Sequence, residues 1–184
     1  MKAIKIYFAL IITALFLYAC DSGAVAKDDL NKEPLVVFLV RHAEKIDNSR
    51  DPELSEEGKE RALILANTLK DSGIEYIHSS DFLRTRETAA PLSNELSLKI
   101  EIYDPRKLED FAKSLKQKRG RHLIVGHSNT TPQLVELLGG SAGSEINEKS
   151  EYDRLYIVSD SGNGRISTIR LSYGKAYKGE GSQK

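Results

Sequence analysis

Apolar positions along the chain fall into short blocks with two kinds of spacing. Leu35 to Val40 (LVVFLV) is an unbroken apolar run, β-branched and aromatic, ended by Arg41. A strand buried on both faces reads this way. Behind Ser55-Glu56-Glu57, the residues Ala62, Leu65, Ala66 and Leu69 recur at i, i+3, i+4 and i+7, predicting a helix that Gly73 stops. Ile74 to His78 is a second strand. Leu83 to Leu96 is helical, with Pro91 expected to kink or restart it. Leu98 to Tyr103 alternates as a third strand, and Pro105 suits the first turn of a helix running to about Lys118. His122 to Val125 is a fourth strand, followed by a helix from about Pro132 to Leu138. Leu155 to Val158 and Ile166 to Leu171 make a final pair around Ser161-Gly162-Asn163-Gly164. Gly139 to Ser150 is a polar, glycine-bearing loop and a candidate mobile flap.

No repeat and no internal linker interrupts this alternation of strand and helix. It predicts an α/β fold, a three-layer sandwich with a mainly parallel central sheet and helices on both faces. The length of 184 residues suits one such domain. Basic and acidic side chains balance at 27 each, so no electrostatic footprint points to nucleic acid as a partner. One cysteine excludes an intramolecular disulfide and a four-thiolate zinc site.

The start of the chain has a different character. Lys2 and Lys5 precede Ile6 to Ala19, 14 residues without a charge. That run is shorter than the roughly 20 residues of a spanning helix and fits the apolar part of a signal peptide. It ends at Leu17-Tyr18-Ala19-Cys20, where an ordinary secretory signal would place small residues at both positions that cleavage reads. Leu17 does not fit that pattern. The segment instead resembles a bacterial lipoprotein signal, which implies cleavage before Cys20 and a lipid on its sulfur. The expected organisation is a signal at 1–19, a tether at 20–33, one domain at 34–174 and a polar tail at 175–184. Removing Lys2 and Lys5 leaves 25 basic against 27 acidic residues. Covalent lipid rather than a basic patch would therefore hold the protein to a membrane. The expected location is the bacterial cell envelope, facing periplasm or exterior.

Ligands of such sheets bind beyond the carboxyl ends of the strands. Arg41-His42-Ala43-Glu44 follow the first strand, and Ser79-Ser80 the second, with Arg84, Arg86 and Thr88 in the next helix. Asp104 follows the third strand, and Gly126-His127-Ser128-Asn129 the fourth. Two histidines beside arginines do not read as a metal site, because a guanidinium next to a metal cation is repulsive. They suit a phosphoryl group, whose oxygens a guanidinium binds and whose phosphorus an imidazole attacks.

Four segments then carry a family resemblance. Arg41-His42-Ala43-Glu44-Lys45, Leu54-Ser55-Glu56-Glu57-Gly58, Ser79-Ser80 through Thr88-Ala89, and Val125-Gly126-His127-Ser128 occur in order at matching strand ends. Together they resemble the histidine phosphatase superfamily, with its phosphoglycerate-mutase-like fold, over about residues 35–171. The resemblance implies His42 as the nucleophile of a phosphohistidine intermediate, with Arg41, Arg84 and His127 holding the phosphoryl oxygens and no cofactor or metal. It places the proton donor between the Arg84 helix and the second histidine, where Asp104 is the candidate, with Glu101 and Glu44 as alternatives. Glu44, Ser128 and Asn129 are further candidates for substrate contact.

The family's sugar-phosphate mutases carry insertions that close the site, and the span from Arg41-His42 to His127 leaves little room for them. The expectation is a metal-independent phosphomonoesterase acting on a phosphorylated small molecule. A protein phosphohistidine phosphatase is the enzymatic alternative. A non-catalytic phosphate-binding lipoprotein on the same scaffold is the other.

Overall fold

The computed structural model describes residues 33–179. The signal, Cys20, nearly all of the tether and the last five residues of the tail lie outside the described residues. The strands are β1 (Leu35–Arg41), β2 (Tyr76–Ser80), β3 (Ile100–Tyr103), β4 (Gly120–Gly126), β5 (Arg154–Asp160) and β6 (Ile166–Ser172). The helices are α1 (Glu56–Leu69), α2 (Leu83–Leu96), α3 (Leu108–Lys118) and α4 (Thr130–Leu137). The sheet order is β3-β2-β4-β1-β5-β6, parallel from β3 to β1 and antiparallel through β5 and β6.

β1 lies between β4 and β5 and is covered on both faces, which is why its sequence is apolar without a break. Leu35, Val37 and Leu39 point to one core with Ile124, Leu108, Leu115 and Leu134, beneath α3 and α4. Phe38 and Val40 point to the other, with Leu123, Val125, Leu65, Leu69 and Leu92, beneath α1 and α2. The two-residue side-chain period of one strand therefore splits the interior into two layers and makes the three-layer sandwich.

Several boundaries differ from the sequence expectation. β2 extends through Ser79 and Ser80, whose side chains are buried and hydrogen-bonded rather than exposed at a strand end. β3 starts at Ile100 because Ser97 adopts a left-handed conformation (φ 54°) and Leu98 N–H closes the end of α2 on Ser93 O. α2 runs unbroken through Pro91, between the fully buried Ala89 and Leu92. α3 begins at Leu108, after a turn in which Lys107 N–H bonds Asp104 O.

The start of α1 shows why glycine follows its capping serine. The Ser55 side chain accepts from Gly58 N–H, and Ser55 N–H bonds Glu44 O at 2.9 Å. A Cβ on Gly58 would lie 2.1 Å from Glu44 O. This close approach ties α1 to the segment just after β1.

The loop between α4 and β5 is pinned by two arginines rather than hanging free as a flap. Arg154 holds Glu151 together with the carbonyls of Ser144 and Glu145, while Ala142 and Ile146 pack into the α3/α4 core. The second arginine belongs to the carboxyl rim of the sheet.

Candidate active site

His42 leaves the end of β1 with its N–H on Gly126 O at 2.9 Å, so β4 sets its position. Ala43 N–H bonds Thr88 Oγ1, which itself donates to Arg84 O, so α2 fixes the next residue. His42 Nδ1 lies 2.8 Å from Ala43 O. A carbonyl only accepts, so Nδ1 carries the hydrogen and the lone pair is on Nε2. The side chain is buried, and burial first of all pulls its pKa down to about 3; Ala43 O opposes this, and the charges of Arg41 and Arg84 reinforce it. At neutral pH the ring is an uncharged imidazole with a free lone pair.

The second histidine, His127, lies with its ring centroid 5.6 Å from that of His42. Its Nε2 is 2.9 Å from Ser80 Oγ, whose hydroxyl donates to Thr85 Oγ1, and its Nδ1 is 3.5 Å from Arg84 Nη2. Guanidinium only donates, so Nδ1 is the acceptor and Nε2–H points to Ser80. Burial, followed by the charges of Arg84 and Arg41, lowers the His127 pKa to about 4.

Arg84 stacks over Phe82 at 4.5 Å and lies 3.8 Å from Asp51. Its Nε and Nη1 are buried and have no hydrogen-bond partner among the described residues. Arg41, only 2% exposed, behaves differently. Nη1 donates to Asn147 O (3.1 Å) and Glu151 O (2.9 Å), Nη2 donates to Glu148 O (2.6 Å), and the guanidinium stacks on Tyr152 at 4.1 Å. Only its Nε, also buried, is left without an acceptor. Both forks of Arg41 thus hold the loop after α4, and one nitrogen remains for anything placed beside His42.

These groups meet at a cavity of about 460 Å³ lined by His42, Arg84, His127, Phe82, Ser128 and Asn129, with Lys45, Arg106 and Glu148 also on its wall. Asn129 makes no capping bond to α4, and Thr130 Oγ1 accepts from His127 N–H, tying the start of the helix to the second histidine. The remaining sequence candidates are placed elsewhere. Glu44 forms a fork-on-fork pair with buried Arg61, which also binds the carbonyls of Tyr173 and Lys175. Asp104 lies in an adjoining groove with its carboxylate on Arg106, an exposed contact that holds its pKa down. Glu101 pairs with Lys118 across the outside of β3.

Sequence reasoning did not single out Phe82, Tyr152 or Glu148. The first carried a weak signal, being next to the Arg84 segment. The other two sit in a loop without periodicity or motif.

The unpartnered nitrogens define what the site accommodates. A buried charged donor without an acceptor costs on the order of a few kcal/mol. Arg84, which shares the cavity wall with His42 and His127, therefore offers Nε and Nη1 to an anion with several acceptor oxygens, and Arg41 Nε is likewise without an acceptor.

Known proteins resemble this chain in sequence and in fold. Residues 37–109 match the family model described as histidine phosphatase superfamily (branch 1). A probable phosphoglycerate mutase, GpmB, from Escherichia coli is 31% identical over 143 residues, covering 74% of this chain and 63% of that protein. The chain thus spans less than two thirds of that relative's length. Among solved structures, the protein histidine phosphatase SixA in complex with tungstate has a TM-score of 0.60 at 21% identity, covering 75% of this chain and 97% of that one. A phosphoglycerate mutase from Bacillus anthracis has a TM-score of 0.56 at 16% identity, covering 78% and 94%.

Proposed function

Because the chain belongs to the histidine phosphatase superfamily, we propose that it is a phosphomonoester hydrolase working through a phosphohistidine on His42. The observation that carries this reading is the set of unpartnered guanidinium nitrogens on Arg84 and Arg41 beside a neutral His42 whose lone pair is on Nε2. These nitrogens bind the phosphoryl oxygens, and Nε2 attacks phosphorus while the ester oxygen departs. An anion against His127 Nδ1 favours the protonated ring, so this side chain turns from acceptor to donor as substrate charge arrives. Water then cleaves the phosphorus–nitrogen bond. The guanidiniums and His127 supply the positive charge the transition state requires, so the chemistry calls for no metal.

The test is hydrolysis of p-nitrophenyl phosphate by the full chain in detergent with chelator, together with trapping of labelled phosphate on His42. Replacing His42 by Ala is expected to lower turnover by about 10³-fold or more and to abolish trapping. Unchanged turnover in that variant would sink the mechanism. A labelled phosphohistidine peptide in the same assay separates the protein phosphohistidine phosphatase alternative from a small-molecule enzyme.

We further propose that Cys20 carries a lipid and holds the domain at the bacterial envelope, supported by the basic start, the apolar run and the sole cysteine at its end. Incorporation of labelled palmitate in cells, lost in Cys20→Ser, is the expected result. Equal labelling of both chains refutes it.

A further inference from the structure

A phosphomonoesterase with this site still needs a proton for its leaving group. The stretch between α2 and His127 does not place a carboxylate on the cavity. Asp104 is held by Arg106 and Glu101 by Lys118, and neither these nor Glu109 and Asp110 of α3 are among the lining residues. The acidic side chain on the wall shared with His42, Arg84 and His127 is Glu148, from the loop after α4.

Its position is built rather than incidental. Arg41 Nη2 donates to the Glu148 carbonyl, and Nη1 clasps the carbonyls of Asn147 and Glu151 on either side. Asn147 N–H bonds Glu151 Oε2, closing the turn, and Glu151 is itself paired with Arg154. Ile146 and Tyr152 bury the two flanks. Glu148, a residue of the cavity wall, is thus held through its backbone by the arginine that precedes the nucleophile. Burial lowers the pKa of both Arg41 and Arg84, and the negative charge of Glu148 is among the influences that oppose this at each, so the carboxylate lies within electrostatic reach of both guanidiniums.

Resting on the phosphomonoesterase reading, we propose that Glu148 is the proton donor of the first half-reaction and the base of the second, with Arg41 as its positioning residue. His42 Nε2 forms a bond to phosphorus, the phosphorus–oxygen ester bond breaks, and the proton of the Glu148 carboxyl passes to the departing oxygen to give the alcohol. Water then attacks phosphorus, its proton goes to the Glu148 carboxylate, and the phosphorus–nitrogen bond breaks to release phosphate. The cycle restores free His42 and returns the proton to Glu148.

The experiment compares the full-length parent with Glu148→Gln and Glu148→Asp on two esters under identical conditions. p-Nitrophenolate leaves without a proton, whereas the alkoxide of glycerol phosphate does not. Glu148→Gln is expected to lose about 10²-fold in kcat on glycerol phosphate and less than about 3-fold on p-nitrophenyl phosphate. Glu148→Asp regains part of the loss. Equal losses on both esters, or no loss on either, overturn the assignment. So does a parent that cleaves the aryl ester but no alkyl ester. A parent inert on both that traps no phosphate on His42 instead sinks the phosphatase reading, so the two failures are distinct.

Discussion

Arg41 and Arg84 occupy the same positive field around His42 and divide the work between them. Arg84 keeps two nitrogens for an anion, while Arg41 has given all but its Nε to the carbonyls of a loop more than 100 residues away in sequence. That separation explains why the sequence motif assigns both arginines to phosphate: adjacency to His42 is visible in the chain, whereas a contact with Asn147 or Glu151 is not. Glu44 misleads for the same reason, since its partner Arg61 is 17 residues on, across the start of α1. A pH prediction belongs to this scale. Burial pulls the pKa of His42 down to about 3 and that of His127 to about 4. A base with a lowered pKa takes its proton only below that value, so the nucleophile stays competent as pH falls through the ordinary histidine range near 6.5. The profile of kcat/KM for p-nitrophenyl phosphate is therefore expected to lack an acid limb centred near 6.5. A limb there that follows His42 titration by NMR contradicts this.

Elements were legible where a single local signal decided them. β1 declared itself by its unbroken apolar run, and α1 by its i, i+3, i+4, i+7 pattern behind Ser55. The misjudged edges are places where tertiary contacts outweigh local chemistry, such as Ser79 and Ser80 sealed inside β2, or Ser97 ending α2 in a left-handed turn. The loop from Gly139 to Ser150 looked mobile because its composition is polar, yet Arg154 and Arg41 satisfy its carbonyls from β5 and β1. Gly58 offers the sharpest test of how elements are joined. Its Cβ-free face meets the Glu44 carbonyl, which is backbone and cannot turn aside. Gly58→Ala is expected to destabilise the fold by about 2 kcal/mol, against the usual gain from alanine in a helix, read from the urea midpoint. A midpoint equal to or above the parent's would show that α1 can slide away without cost.

At the scale of the molecule, the four histidines of the chain act in concert. His42 and His127 are lowered to about 3 and about 4, His78 to about 4, and His122 is lowered as well, with burial the leading cause in each. His78 Nε2 meets His122 Nδ1 at 3.0 Å, linking β2 to β4 in the middle of the parallel sheet. Unfolded histidines bind protons below about 6.5 while the folded ones remain neutral, so the unfolded state binds more protons in the interval between. Stability is thus fully present above about pH 6.5 and is lost as pH falls toward 4. The urea midpoint is expected to drop between pH 7 and 5, and to drop less in His78→Leu; a midpoint unchanged over that range refutes it. The polarity of β1 has a mechanical consequence as well. The described chain enters this strand at Glu33 and Pro34, where Arg119 and Gly120 clasp their carbonyls, and reaches His42 just past the other end, about 23 Å away. A load applied from upstream therefore travels along a central strand bonded on both sides and is shared in shear by the whole ladder.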